Sequence, residues 1–330
     1  MPALPAAPTG SVLTAVEGFR VGHWTDAAAG TGCTVIVPPP ETVAAGDVRG
    51  GGPGARETDL LAPLASVLHA TALLFTGGSA FGLDAAGGVM RWCEEEGLGY
   101  DVGPVRVPIV PAAVIFDLGV TENARRPGAE EGYAACVAAS GGPHALGSVG
   151  AGTGATVGKL RAKAGWCKGG VGTAVRRLHD GATVAVLVVA NAWGDVLDER
   201  GGVLAGAADP EGGFLGAAAR VLELPPEHPR LAAPEATTLA CVATDARLTR
   251  VEAGQVARMA QAGLCRAVSP VNTPFDGDAV FCLATGARPA SVLAAGVAAA
   301  DALAAAVRDG VRRATSVRGV PTAAQRRMRR

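Results

Sequence analysis

The pattern of hydrophobic and polar positions predicts short buried strands along most of the chain. The clearest is the unbroken β-branched run at residues 182–190, which lacks polar alternation and therefore indicates burial on both faces. Residues 105–117 have the character of an edge strand, because Pro108 cannot donate to a backbone ladder. Further strands are predicted at residues 16–24, 32–38, 71–75, 239–244 and 279–284.

Helices are predicted between these strands wherever apolar residues recur at helical spacing. Thr249 and Glu252 form a capping-box pattern, which begins a helix that ends near Leu264. Other helices are predicted at residues 60–70, in the segment that ends at residue 96, and at residues 130–140 and 291–307. Strands and helices mixed in this way predict the α/β fold class.

Residues 195–235 are the least regular part of the pattern. Prolines and glycines punctuate them without strong periodicity, which inside a compact domain is typical of a functional or mobile loop. Thr237 and Thr238 follow and lead into the predicted strand at residues 239–244, so a hydroxyl group lies at the junction of loop and strand. Taken alone such a threonine is ordinary, since it commonly bonds to nearby backbone or begins a turn.

Composition and charge exclude several classes of function. The 330 residues are 49% hydrophobic, and the net charge of −1 gives no electrostatic reason to expect nucleic acid or an acidic membrane as a partner. Seven scattered cysteines without a Cys-x-x-Cys pair predict neither a metal site nor a disulfide framework, and no cofactor is expected. Residues 1–17 lack the features of a signal peptide, and Asp301 interrupts the longest Ala-rich stretch, so a soluble cytoplasmic protein is predicted.

Three glycine-rich segments attract attention, but none has the spacing of a nucleotide-binding loop. Residues 47–59 are predicted to form a tight loop over the sheet. Ser79 lies between a strand and a helix, yet a nucleophile elbow would need glycine where Phe81 stands. Residues 147–159 end in Lys159, and such a lysine is either a solvated charge or a residue of a site.

The strongest signal is the pattern Thr-Thr-x-x-x-Val-Ala-Thr-Asp-Ala at residues 237–246, followed by a helix and by Phe-Asp-Gly-Asp at residues 275–278. These motifs resemble the L-aminopeptidase/D-esterase family, which includes β-peptidyl aminopeptidases and nylon-oligomer (6-aminohexanoate oligomer) endo-hydrolases. The resemblance extends from Gly22 to about Gly310. It implies one domain with a four-layer αββα sandwich of the N-terminal-nucleophile-like aminopeptidase/ornithine acetyltransferase type.

The same resemblance implies that the chain cuts itself between Ala236 and Thr237. The large segment, residues 1–236, and the small segment, residues 237–330, would stay associated, and family members form homo-oligomers, expected here as a tetramer of cleaved protomers. An alcohol is a poor nucleophile at its free pKa, and cutting its own amide bond frees an α-amine that can act as its base. Thr237 is therefore expected to be the N-terminal nucleophile.

Carried over residue by residue, the resemblance assigns the remaining site. Asn191 would stabilise the oxyanion, and Lys159 would lie near the nucleophile and favour its free amine. Asp276 would orient the hydroxyl or amine of Thr237, and Asp278 would anchor the network. Read without the family, Asp-Gly-Asp is a candidate hairpin turn instead.

Two residues of the family pattern near the substrate have matches here. Phe116 lies near the position of a pocket tyrosine and would supply an apolar wall. Ser79 belongs to a block that in the family lies near the active site without being the nucleophile.

Departures from the family pattern bear on the substrate. Ala112 and Ala113 stand where aminopeptidase members carry Glu-Thr, so the charge partner of a substrate ammonium is missing. Ala236 replaces the usual Asn or Gly before the nucleophile, whereas Asp276 matches the nylon-oligomer branch rather than the aminopeptidases, which have Ser. Linear ω-amino-acid amides or small peptides are the expected substrates. The alternatives are an aminopeptidase or D-amidase/esterase on short peptides, an acyltransferase, and an uncleaved binding protein.

Overall fold

The computed structural model describes residues 12–121, 125–225 and 236–328. Within these ranges the strands are, in chain order, β1 Arg20–Asp26, β2 Thr31–Val37, β3 Val43–Val48, β4 Ala55–Arg56, β5 Leu73–Thr76, β6 Tyr100–Asp101, β7 Arg106–Val107, β8 Ala112–Val114, β9 Thr156–Val157, β10 Cys167–Lys168, β11 Gly170–Arg177, β12 Thr183–Ala190, β13 Asp195–Leu197, β14 Val203–Ala205, β15 Leu239–Ala246, β16 Val268–Ser269 and β17 Ala279–Arg288.

The α-helices of the same ranges are α1 Ala85–Glu95, α2 Ala129–Val137, α3 Ala217–Val221, α4 Arg250–Ala267, α5 Val292–Arg313 and α6 Ala323–Met328. Short 3₁₀ helices span Leu13–Ala15, Thr58–Leu61, Ser79–Asp84, Gly150–Gly152 and Lys163–Gly165. None of these helices combines the length and the hydropathy that a membrane crossing requires.

Two larger sheets form the centre of the molecule. In the described part of the chain, sheet A has the strand order β11-β12-β15-β17-β3, and sheet B has the order β1-β2-β5-β8-β4. Strands β15 and β17 of sheet A run parallel, while β12 and β3, which flank them, run antiparallel to their neighbours.

Three apolar layers hold these sheets and the helices together. Between the sheets the rings of Phe75 and Phe281 approach to 5.8 Å between centroids, within a core drawn from both inner faces. Residues of α4 and α5 pack on the outer face of sheet A, and residues of α1 and α2 pack on the outer face of sheet B. The layer order is therefore helices, sheet A, sheet B, helices, and the predicted αββα sandwich is confirmed.

The strongest local patterns correspond to the observed elements. Each residue of β12 is buried, as the unbroken apolar run at residues 182–190 predicts. The α4 helix begins at Arg250 with Thr249 as its N-cap: the Thr249 hydroxyl accepts from the Glu252 N–H, and the Glu252 carboxylate accepts from the Thr249 N–H at 2.8 Å. Both predictions depend on contacts within a few residues of each other along the chain.

The helix predicted at residues 60–70 is wrong. The 3₁₀ helix there ends at Leu61, and the buried guanidinium of Arg250, from the start of α4, donates to the carbonyl oxygens of Leu60, Ala62 and Val67. These carbonyls therefore bind a side chain from a distant part of the sequence instead of helical amides. The pattern of apolar residues gives no information about a distant side chain that competes for the backbone carbonyls.

The edge strand predicted at residues 105–117 is divided into two. Strand β7 pairs with β6 in a separate hairpin, and β8 lies between β5 and β4 in sheet B. Pro108 and Pro111, which cannot donate backbone hydrogen bonds, lie between the two pieces.

The irregular segment at residues 195–235 contains β13, β14 and the short helix α3, while residues 226–235 lie outside the described ranges. Near the end of the described chain two arginines bind backbone: Arg326 donates to the carbonyl of Trp166 at 2.9 Å, and Arg327 donates to that of Val203 at 2.8 Å.

Candidate active site

Sheet A brings three separate stretches of sequence to one point. Strands β15 and β17 are parallel neighbours that pair Leu239 with Ala279, so the residues before each strand lie side by side. Strand β12 is antiparallel to β15 and pairs Val189 with Leu239, so its carboxyl end reaches the same place. Thr237, Asn191 and the Asp-Gly-Asp segment are therefore neighbours, although up to 87 positions separate them in sequence.

The peptide bond between Ala236 and Thr237 is held on both sides. The Thr237 N–H donates to the carbonyl oxygen of Asn191 at 3.0 Å, and the Ala236 carbonyl oxygen accepts from the Gly277 N–H at 2.8 Å. The Thr237 hydroxyl lies 2.5 Å from that same Ala236 oxygen. A hydroxyl group, a carbonyl group and a donor for the carbonyl oxygen thus lie together.

The side chain of Asn191 is fixed by three surrounding groups, and Lys159 also binds its backbone carbonyl. Its Oδ1 accepts from the Thr156 N–H at 2.9 Å and from Lys159 Nζ at 3.0 Å, and Lys159 Nζ also donates to the Asn191 carbonyl at 3.1 Å. Its Nδ2 donates to the Phe116 carbonyl oxygen at 3.3 Å. These bonds fix the orientation of the amide. Its Nδ2 donor makes the longest of them, the one to the Phe116 carbonyl oxygen.

Lys159 is only 1% exposed. Burial lowers the pKa of its ammonium group to about 7, and the carboxylates of Asp276, Asp117 and Asp278 oppose that shift. Near neutral pH the amine can therefore both accept and donate a proton. Of the two interpretations of this lysine, the solvated charge is wrong.

The two aspartates before β17 are buried and receive hydrogen bonds from nearby backbone. Asp276 accepts from the N–H of Trp193 at 3.2 Å and from the N–H and hydroxyl of Thr273 at 2.9 and 2.6 Å. Asp278 accepts from the N–H of Thr238 at 2.6 Å and from the N–H of Asn272 at 3.0 Å. Burial and the neighbouring Asp276 raise the pKa of Asp278.

The hairpin interpretation of Asp-Gly-Asp is wrong, because the segment leads into β17, which pairs with β15 and β3 rather than with the strand just before it. In the uncut chain the Thr237 hydroxyl donates to the Ala236 carbonyl, and the Asp276 carboxylate accepts from the Thr273 hydroxyl. That Asp276 orients the hydroxyl or amine of Thr237 stays a prediction.

Phe116 and Ser79 contact the site through backbone. Phe116 is half-buried, and its carbonyl oxygen binds Asn191. Ser79 has a positive φ of 52° and donates its N–H to the Ile115 carbonyl at 3.1 Å, so it supports the loop that carries Phe116. Among the residues that the structure describes, the Thr237 hydroxyl donates to the Ala236 carbonyl and makes no hydrogen bond with the Ser79 hydroxyl.

The glycine-rich segment at residues 47–59 packs against the aspartate segment. The Gly52 N–H donates to the Asp276 carbonyl at 2.9 Å, and the Arg49 N–H donates to the Asp278 carbonyl at 2.9 Å. A Cβ on Gly50 would meet the Asp276 carbonyl oxygen at 2.0 Å, so only glycine permits this approach. The predicted tight loop therefore supports the site.

Asp117 is a buried residue that the sequence reasoning missed. Its carboxylate accepts from the Thr31 hydroxyl at 2.7 Å and from the Gly78 N–H at 2.8 Å, and burial raises its pKa. It follows Phe116 directly and so fixes the loop whose carbonyl binds Asn191. The only sequence signal is a carboxylate at the end of an apolar run.

Lys168 is the second missed residue. It is fully buried, and its Nζ donates to the carbonyls of Gly152, Thr153 and Ala155 at 3.2, 2.8 and 2.6 Å. Burial lowers its pKa to about 7. Since Thr156 follows these carbonyls and donates its N–H to Asn191 Oδ1, Lys168 supports the amide through this backbone segment. A lysine with no charged motif around it gives no sequence signal.

Replacement of Lys168 by methionine is expected to lower the free energy of unfolding by about 2–4 kcal/mol, because it removes the donor of three buried carbonyls. Urea denaturation in an uncut Thr237→Ala background measures the change. Lys163→Met, at a half-buried position on the nearby turn, is the matched control and should cost less than about 1 kcal/mol. Equal losses in the two variants would contradict the supporting role of Lys168.

Comparison with known sequences gives matches over nearly the whole chain. Residues 11–324 match the sequence model of Peptidase family S58. An uncharacterized aminopeptidase of Mycobacterium tuberculosis is 46% identical over 339 residues, which cover 94% of this chain and 96% of that protein. A 6-aminohexanoate-oligomer endohydrolase of Kocuria sp. is 33% identical over 264 residues, which cover 77% of this chain and 69% of that protein.

Solved structures match the fold at lower identity. A beta-aminopeptidase of Burkholderia sp. superimposes with a TM-score of 0.71 at 23% identity and covers 98% of this chain and 92% of its own. The L-aminopeptidase D-Ala-esterase/amidase of Ochrobactrum anthropi, a variant of the Ntn hydrolase fold, gives a TM-score of 0.71 at 19% identity and covers 95% of this chain and 89% of its own. The fold class predicted from the motifs is confirmed.

Proposed function

The chain belongs to peptidase family S58, and we propose that it is an amide hydrolase that cuts itself before Thr237 and then uses Thr237 as an N-terminal nucleophile. One observation carries the proposal: the Thr237 hydroxyl lies 2.5 Å from the Ala236 carbonyl oxygen, which also accepts from the Gly277 N–H. This arrangement suits attack on the preceding carbonyl carbon and stabilisation of the resulting oxyanion.

In the proposed self-cleavage, the Thr237 oxygen attacks the Ala236 carbonyl carbon while its proton moves to a nearby base. Lys159 is suited to that part because burial brings its pKa to about 7. The C–N bond then breaks, the Thr237 nitrogen takes up a proton, and an ester joins Ala236 to the Thr237 oxygen. Water hydrolyses the ester, which leaves a carboxylate on Ala236 and a free α-amine on Thr237.

In the proposed turnover, that α-amine accepts the hydroxyl proton as Thr237 attacks the substrate carbonyl. The leaving amine receives the proton, and water resolves the acyl-enzyme. Asn191 would donate from Nδ2 to the substrate oxyanion, since its bond to Phe116 is the longest that its side chain makes. No metal or cofactor takes part in these steps.

The proposed substrates are amides inside a linear chain, such as ω-amino-acid oligomers or small peptides. Ala112 and Ala113 are buried in β8 and offer no carboxylate for a substrate ammonium. The similarity to the Kocuria endohydrolase favours this substrate class. The similarity to the mycobacterial aminopeptidase favours the second candidate, an aminopeptidase or D-amidase/esterase on short peptides. A tetramer of cleaved protomers and a cytoplasmic location stay predictions.

Denaturing mass spectrometry of the purified protein tests the self-cleavage. We expect two fragments, residues 1–236 and 237–330, because the Thr237 hydroxyl lies 2.5 Å from the Ala236 carbonyl oxygen. One intact chain without turnover would contradict the proposal and favour a binding protein. If added amine diverts the acyl product from hydrolysis, acyl transfer becomes the principal reaction.

A further inference from the structure

The position of Ala236 locates the acyl side of a substrate. During self-cleavage Ala236 is the acyl group that Thr237 receives, and during turnover the same oxygen receives the acyl group of the substrate. Both groups must therefore occupy the same place beside Thr237. The surroundings of Ala236 consequently describe the acyl subsite, an inference that rests on the proposed function.

Ala236 is fully buried in a small apolar cluster, called here the acyl pocket. Its other members are Leu160, Trp193, Ala207 and Ala217, with Leu215, Val221, Leu224 and Phe275 packed against them. None of these side chains carries a charge, so the pocket suits an aliphatic chain.

Trp193 is the one member of this group whose side chain carries a hydrogen-bond donor. Its backbone is held by Asp276, which accepts from its N–H at 3.2 Å, and by the Lys159 N–H, which donates to its carbonyl at 2.8 Å. Its ring lies 6.2 Å from that of Phe275, at an angle of 33° between the planes. The side chain is only 2% exposed and has a fixed place in the pocket.

The indole N–H of Trp193 has no acceptor among the described residues, although it is buried. Burial of an unpartnered donor is costly, and most buried tryptophans avoid it. Trp166 shows the ordinary arrangement, in which the indole N–H donates to the Arg161 carbonyl at 2.8 Å. The exception at Trp193 therefore needs an explanation, and Trp193 belongs to the same apolar cluster as Ala236.

We propose that the Trp193 indole N–H binds an amide carbonyl on the acyl side of the scissile bond. The preferred substrate would then be a chain with a further amide group beyond an aliphatic spacer, cut at an internal position. A simple fatty acyl amide of the same length would fill the apolar pocket and leave the donor without a partner. Trp193 is accordingly a residue that determines specificity.

Matched p-nitroanilides test this assignment. One set carries N-acetyl-β-alanyl, N-acetyl-4-aminobutyryl or N-acetyl-6-aminohexanoyl groups, and the other carries all-carbon acyl chains of equal length. With the parent enzyme, kcat/KM is expected to be about tenfold higher for at least one amide-bearing substrate than for its all-carbon counterpart. Trp193→Phe keeps an apolar ring without the donor and should reduce that ratio to within about twofold of one.

Trp92→Phe is the matched control, because Trp92 lies in α1 and packs in the apolar layer between α1, α2 and sheet B. It should keep the ratio of the parent enzyme. Mass spectrometry measures the self-cleavage of Trp193→Phe, which reports whether that variant folds. The ratio of kcat/KM between the two substrate sets, measured with the parent enzyme, tests the inference without any variant.

The outcomes separate this inference from the proposed function. If the parent enzyme releases nitroaniline from both sets at equal rates, or if Trp193→Phe keeps the preference, the role of Trp193 is overturned while the hydrolase stands. If no substrate of either set is cut and Thr237 remains within an intact chain, both proposals are overturned.

Discussion

Thr237→Ala is expected to remain one uncut chain and to lose turnover by at least about 10⁴-fold. The variant lacks the oxygen that lies 2.5 Å from the Ala236 carbonyl oxygen, and it keeps the backbone bond to Asn191. The fold should therefore survive while both reactions stop. Denaturing mass spectrometry reports the cleavage, and amine release from a linear oligoamide reports the turnover.

Two controls sharpen that test. Thr237→Ser restores a hydroxyl at the same place and should recover cleavage. Thr244→Ala removes a hydroxyl from β15, the strand that follows Thr237, where it donates to the Thr183 carbonyl, and this variant should still be cut. Cleavage of the Thr237→Ala chain between residues 236 and 237 would exclude this hydroxyl as the nucleophile.

Gly277→Ala is expected to slow self-cleavage by about 100-fold or more. A Cβ at this position would lie 2.9 Å from the Thr237 hydroxyl oxygen and 2.8 Å from the Gly52 carbonyl oxygen, so either the nucleophile or the neighbouring loop must move. A displacement of this size at a reacting centre can cost about two orders of magnitude. The fraction of cut chain, followed over time after synthesis, measures the effect.

Gly87→Ala is the matched control for this substitution. Gly87 lies exposed in α1, and a Cβ there would meet nothing within 4 Å. Its cleavage should proceed at the rate of the parent chain. Equal cleavage rates for the two variants would show that the contact between Gly277 and the hydroxyl does not govern the reaction.

The sequence predicts elements whose determinants are local. The β-branched run of β12 and the cap formed by Thr249 and Glu252 depend on neighbours within a few positions, and both are confirmed. The helix at residues 60–70 fails because Arg250, far along the chain, occupies the backbone carbonyls. Periodicity describes which side of an element is apolar, and it does not describe a competing side chain from elsewhere.

In the candidate site too, residues within a sequence motif could be predicted, and residues whose partners are distant in the sequence could not. Motifs indicate Thr237, Asn191 and Lys159, and in the structure both Thr237 and Lys159 donate hydrogen bonds to Asn191. Asp117 and Lys168 were missed, because a charged residue is expected at the surface unless a partner is visible in sequence. Their partners are backbone carbonyls, amides and a threonine hydroxyl, which no motif records.

The strand order of sheet A sets the fate of the two proposed fragments. The small one contributes β15 and β17, and the large one supplies both flanking strands, β12 and β3. The two adjacent strands of the small fragment are thus bounded on each side by a strand of the large one. After a cut at the Ala236–Thr237 bond, separation of the fragments would still have to break the β12–β15 and β17–β3 backbone ladders. Release of either piece would first require loss of the native sheet, so a matured molecule would behave as one body until it unfolds.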